Sequence, residues 1–170
     1  MATMYLTART LHVFLGAFWA GSVFFSVLFM DPAVREAGPE GGKVMGILQR
    51  RGWMTSVLWI GTTTVATGLY LLWTMSGHFS RGFMGSRTGI LLSVGALAGM
   101  IILAIGLGVS RPTARRMGQV AAKVGAAQGP PAPEDLAELA RLRARMTLLL
   151  RIVSALMVVA VVTMALAPHL

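Results

Sequence analysis

Three histidines and three arginines carry the chemistry open to this chain. His12 sits in Arg9-Thr-Leu-His12-Val-Phe-Leu-Gly16-Ala-Phe-Trp19-Ala-Gly21, part of an apolar run of membrane-spanning length. An ionisable side chain in hydrocarbon is costly, so it marks a candidate site whose partner has to be found. His78 and His169 follow later apolar runs, and Arg9, Arg81 and Arg87 stand near run ends. Imidazole is a ligand for haem iron, copper and zinc. Guanidinium suits a propionate or another carboxylate. Gly16 and Trp19 follow His12 by one and two turns and share its stripe on a helix. A flat macrocycle beside a helix wants a small residue next to its ligand and an aromatic to pack on. The expected set is therefore His12 and His78 as metal ligands, Arg9 and Arg87 as propionate partners, and Gly16 and Trp19 as the surface against the ring.

Four apolar runs must position these residues, over about 5–30, 53–75, 87–110 and 146–167. The chain has 170 residues, of which 55% are apolar and only 12% charged. A soluble domain carries about twice that charged fraction. The pattern predicts an all-α integral membrane protein, residues 1–170 forming one membrane domain. Its architecture is a four-transmembrane-helix antiparallel bundle with interfacial amphipathic segments in two cytoplasmic loops. The N-terminal run is too long for a secretory signal and is expected to be retained as the first span. Asp31-Pro32 and Arg111-Pro112 are expected to end spans one and three, because proline breaks the helical ladder. A basic piece over 113–127 then lies on the surface, and a helix opening at Glu134-Asp135 runs straight into span four.

Cations set the orientation. Loops 31–52 and 111–147 hold Arg35, Lys43, Arg50, Arg51, Arg111, Arg115, Arg116, Lys123, Arg141, Arg143 and Arg145; the other side has Arg9, Arg81 and Arg87. Both large loops are thus expected to be cytoplasmic, with both termini and all three histidines outside. The net charge of +9 belongs to these flanks and to contact with membrane lipids, not to nucleic acid.

Several chemistries are excluded or weakened. The chain has no cysteine, which removes disulfides, thiolate metal sites and covalent haem attachment. No nucleotide-binding, nucleophile-elbow or zinc-protease motif occurs. No acid lies within a span, against a carboxylate proton relay. Thr62, Thr63, Thr64 and Thr67 in span two suit helix–helix bonding, and Gly95-x-x-x-Gly99 in span three has the spacing for close backbone approach. That glycine pair is the expected contact for a homo-oligomer or a larger membrane complex.

Leu11-His12-Val13 followed by Gly16, Trp19 and Gly21 resembles the first-helix signature of a superfamily of small bacterial membrane proteins. It includes the CopD-type copper-resistance proteins and the HemJ-type protoporphyrinogen oxidases. The likeness extends loosely to Arg50 and Arg51 before span two, Thr67-Gly68 late in it, Arg87 opening span three, and Met164 near the end of span four. The resemblance implies a four-helix bundle in the bacterial inner membrane. For the HemJ branch it implies haem b held by the residue at His12 and oxidation of protoporphyrinogen; for the CopD branch, copper handling. HemJ-type proteins carry lysine where Arg87 stands here, and arginine does not readily release its proton. CopD-type proteins are usually longer. The leading expectation is a b-type haem protein with a redox or electron-transfer role, possessing oxidoreductase character, its haem near the outer side. The alternatives are a copper-handling protein using His12, His78 and Met75 or Met84, and a non-catalytic accessory subunit.

Overall fold

Once water is excluded, each backbone amide must find its partner inside its own segment, and a continuous apolar run does so as a helix. The computed structural model describes residues 2–126 and 129–169, apart from the side chain of Pro39, and every regular element among them is helical. The order is α1 (Ala2–Phe25), α2 (Asp31–Glu36), α3 (Gly38–Arg50), α4 (Trp53–Met75), α5 (Arg81–Met84), α6 (Arg87–Ile105), α7 (Arg111–Ala126) and α8 (Pro133–Leu166). Four continuous helices are long and apolar enough to cross a membrane: Ala2–Glu36, Trp53–Met75, Arg87–Ala126 and Pro133–His169.

Two of these helices run through the prolines expected to stop them. Ser26–Met30 forms a widened π turn in which the Asp31 N–H donates to the Ser26 carbonyl, five residues back, and α2 continues from there. Gly106–Ser110 repeats the construction, with the Arg111 N–H donating to the Gly106 carbonyl ahead of Pro112. Proline lacks an N–H and its ring collides with the carbonyl four residues earlier; a wide turn shifts that carbonyl aside, so the ladder restarts beyond it. Asp31 and Arg111 keep helical dihedrals (φ −64°, ψ −45° and φ −61°, ψ −51°). The 113–127 segment is therefore no separate surface piece, since through Ala126 it prolongs the third apolar helix. That helix has 40 residues, about 60 Å of rise against a hydrocarbon core of about 30 Å.

α1 packs chiefly on α4, and α6 on α8. Along the first seam His12 meets Gly68, Gly16 meets Thr64, and Trp19 meets Gly61, so numbers climb on α1 as they fall on α4. Gly99 of α6 against Val65, and Gly106 just beyond α6 against Leu58, join this helix to α4 in the same opposed sense. Trp19, Ala20, Val23, Ile102 and Met157 form the core, with Val57, Ile60 and Val65 of α4 closing around it. Gly95 and Gly99, expected to serve an oligomer, are buried within the chain, Gly95 under Thr163 and Met164.

Beyond the apolar stretch, α7 and α8 pack through a second core of Val120, Leu139 and Leu142. Arg116 donates to both Glu138 oxygens at 2.8 and 3.1 Å, and Lys123 donates to Asp135 at 2.8 Å. The hydrogen bond and charge of Arg116 hold the Glu138 carboxyl below the usual carboxylate range, and Asp135 raises the Lys123 ammonium. These groups lie outside the apolar stretches. Arg35 donates to the Thr147 hydroxyl at 2.8 Å, and that hydroxyl approaches the Asp31 carboxylate at 3.3 and 3.4 Å, tying α2 to α8.

Two outcomes follow. A side chain at Gly61 would strike the Trp19 ring, whose Cε2 stands 2.7 Å from the Cβ position. Trp19 is 6% exposed and cannot retreat, so Gly61→Leu is expected to lower stability by about 1–3 kcal/mol, read as a fall in thermal midpoint in detergent. A lowered carboxyl pKa contributes stability above its unfolded value and loses it as pH falls; a raised ammonium pKa contributes below its unfolded value and loses it as pH rises. The α7–α8 tip should therefore be tightest between the ordinary Glu and Lys values of 4.5 and 10.5. Spin labels at Gln119→Cys and Ala137→Cys should show a distance distribution that broadens outside that window.

Candidate functional site

The surroundings of His12 are built by the α1–α4 seam. On α1, His12, Gly16 and Trp19 fall at i, i+4 and i+7; on α4, Gly61, Thr64 and Gly68 fall at i, i+3 and i+7. Small groups on one stripe meet large rings on the other. Trp19 lies on Gly61, the Gly16 position is 3.5 Å from the Thr64 methyl, and the imidazole lies on Gly68, its Cε1 2.7 Å from where a Cβ would stand. Without that Cβ, the ring reaches the α4 backbone.

There the His12 Nδ1 stands 2.9 Å from the Thr64 carbonyl oxygen. A carbonyl oxygen only accepts, so Nδ1 carries the proton and donates it. Thr67 Oγ1 approaches Nδ1 at 3.5 Å while donating its own proton to the Thr63 or Thr64 carbonyl. In the neutral form of the ring, a proton on Nδ1 leaves the lone pair on Nε2. No partner satisfies Nε2 among the described residues, and no buried, unpartnered side-chain nitrogen or oxygen occurs among them. The ring is half-buried, so this lone pair reaches the protein surface.

The other expected residues are distributed as follows. Gly16 and Trp19, expected to face a macrocycle, face α4. Arg9 lies one turn before His12, exposed, lining an open groove of about 710 Å³ with Leu6, Thr10, Val13, Phe14 and Ala17; His12 does not line it. Arg87 is exposed at the start of α6, whose N-terminus is capped by Ser86 accepting from the Gly89 N–H at 3.1 Å.

His78 is not brought to His12. It lies beyond the end of α4, and Gly68, the residue under His12, is seven residues before that end at Met75, about 10 Å of helix rise. Gly77, His78 and Phe79 have φ of 60°, 64° and 61°. For His78 and Phe79 this left-handed backbone is a local strain. The His78 N–H closes the helix end on the Trp73 carbonyl at 2.9 Å, and the ring packs on Trp73 with centroids 4.4 Å apart. His169 is exposed in the final turn, Ala167–His169. Among the described residues, no three His, Asp or Glu side chains gather to hold a metal ion.

Thr64 and Gly68 are the partners that single-residue reading missed as a His12 site. Their signal lies in the small-residue spacing on α4, which matches the His12-Gly16-Trp19 spacing on α1. Compared with protein-family models, curated proteins and solved structures, the chain matches none.

Gly68→Ala is expected to push the imidazole off the Thr64 carbonyl. Nitrogen NMR of selectively labelled histidine checks this: a neutral ring with the proton on Nδ1 in the native chain, and loss of that fixed tautomer in the variant.

Proposed function

We propose that this chain is a b-type haem-binding protein of the bacterial inner membrane with a redox or electron-transfer role. The observation that carries the reading is the His12 Nδ1–H bond to the Thr64 carbonyl, which leaves Nε2 without a protein partner among the described residues. Haem iron asks a protein for an axial nitrogen held in one tautomer by such a bond. The donor set fits: one imidazole suffices, and Arg9, one turn away and exposed, offers a guanidinium for a propionate. Bound there, haem supplies one-electron chemistry. The chain's own residues hold the imidazole, fix its proton on Nδ1, and shape the potential through burial.

In this reading the four apolar helices form an antiparallel membrane bundle, with both termini outside and the arginine-rich ends of α3, α7 and α8 in the cytosol. Exposed side chains such as Phe14 and Trp59, each 68% accessible, are the lipid-facing surface. His12 would be the residue that holds the group, and His78, packed on Trp73, would not take part.

The test is the absorption spectrum of protein expressed with ample haem. A Soret band is expected in the native chain, absent in His12→Ala, retained in His78→Ala, and weakened several-fold in Arg9→Gln. A colourless native protein, or a band that survives His12→Ala, sinks the reading.

A further inference from the structure

The Thr64 carbonyl that fixes His12 has more donors around it than it can serve. Within α4 the Gly68 N–H, four residues on, takes one of its two lone pairs. The His12 Nδ1–H takes the other at 2.9 Å. A third donor stands beside them. The Thr67 hydroxyl lies 3.0 Å from the same oxygen and 2.7 Å from the Thr63 carbonyl, and it has one proton to give. Its oxygen is 3.5 Å from Nδ1, too long for a useful bond, so the hydroxyl acts on the imidazole through the carbonyl they share.

Other threonines of α4 stand in no such contest. Thr62, Thr63 and Thr64 each donate to one carbonyl four residues back, at 2.8, 3.0 and 2.9 Å, the ordinary local bond of a helical threonine. Thr74 reaches the Tyr70 and Leu71 carbonyls at 3.0 and 2.9 Å, but no side chain of another helix bonds to either among the described residues. At Thr67 the proton has two positions with different consequences. On Thr63, it leaves the Thr64 oxygen to His12. On Thr64, it competes with Nδ1–H and weakens that bond. The bond matters beyond holding the ring, because a partner for the N–H of a ligating imidazole strengthens the opposite nitrogen as a donor.

We propose that Thr67 is a positioning residue of the His12 site: its hydroxyl proton, by moving between the Thr63 and Thr64 carbonyls, sets the strength of the His12 Nδ1–H bond and with it the donor strength of Nε2. The effect on a bound haem rests on the function proposed above. There a stronger Nδ1–H bond favours ferric over ferrous iron, so removing the Thr67 hydroxyl lowers the potential. The contest for the Thr64 oxygen itself needs no haem.

The experiment begins with the full chain in detergent, free of haem. Proton–nitrogen NMR of labelled histidine reads the His12 Nδ1–H signal, identified by its loss in His12→Ala. Thr67→Val removes the contending donor at nearly constant shape and should move that signal downfield, as a stronger bond does; Thr67→Ala should move it the same way. Thr67→Ser, which keeps the hydroxyl, should restore the native position, and Thr74→Val should leave it unchanged. Redox titration of the haem-loaded chain should then give a lower midpoint potential in Thr67→Val and the native value in Thr67→Ser and Thr74→Val. A signal unmoved in Thr67→Val and Thr67→Ala, moved equally in Thr74→Val, or moved without any change of potential would each overturn the proposal. A moved signal in a chain that takes up no haem supports the contest at Thr64 and removes only the haem reading.

Discussion

A single hydrogen bond between two helices sets the terms for this fold: the Nδ1–H of His12 on the Thr64 carbonyl. An imidazole in an apolar seam must satisfy at least one nitrogen, and on α4 His12 meets the Thr64 carbonyl and the Thr67 hydroxyl. Reaching a carbonyl already used by its own helix requires the ring to lie flat on that helix. Gly68 makes this possible, and the same close approach recurs one turn and two turns on, at Thr64 and Gly61. Trp19 then fills the gap between helices and anchors the core that α6 and α8 share. The polar bond and the apolar core are two ends of one stripe.

Much of this was legible beforehand. The four helices follow from unbroken apolar runs, and the His12-Gly16-Trp19 stripe from helical spacing alone. What covers that stripe was not legible, because a small residue and an aromatic at those intervals suit a helix as well as a ring. The matching stripe of Gly61, Thr64 and Gly68 does occur in the sequence, but its pairing with α1 depends on the register between two helices, which no local pattern states. Gly95 and Gly99 show the same limit. Their spacing permits close approach, and only tertiary packing decides that the partners are α8 and α4 of the same chain.

The prolines show a different kind of gap. Asp31-Pro32 and Arg111-Pro112 carry the ordinary signature of a helix end. The chain instead spends one extra residue per turn just upstream, and the helix survives. A propensity argument weighs proline against a regular ladder and does not count the irregular one that accommodates it.

Those widened turns change what the helices on either side are free to present. Each residue of a regular helix advances the side chain by about 100°, so a turn with one residue to spare rotates everything downstream by that angle. The face that α7 shows to α8, carrying Arg116, Val120 and Lys123, is thereby decoupled from the face that α6 shows inside the apolar bundle. One continuous rod can obey two packing codes, one written for hydrocarbon and the other for water, with the wide turn acting as the phase shifter between them.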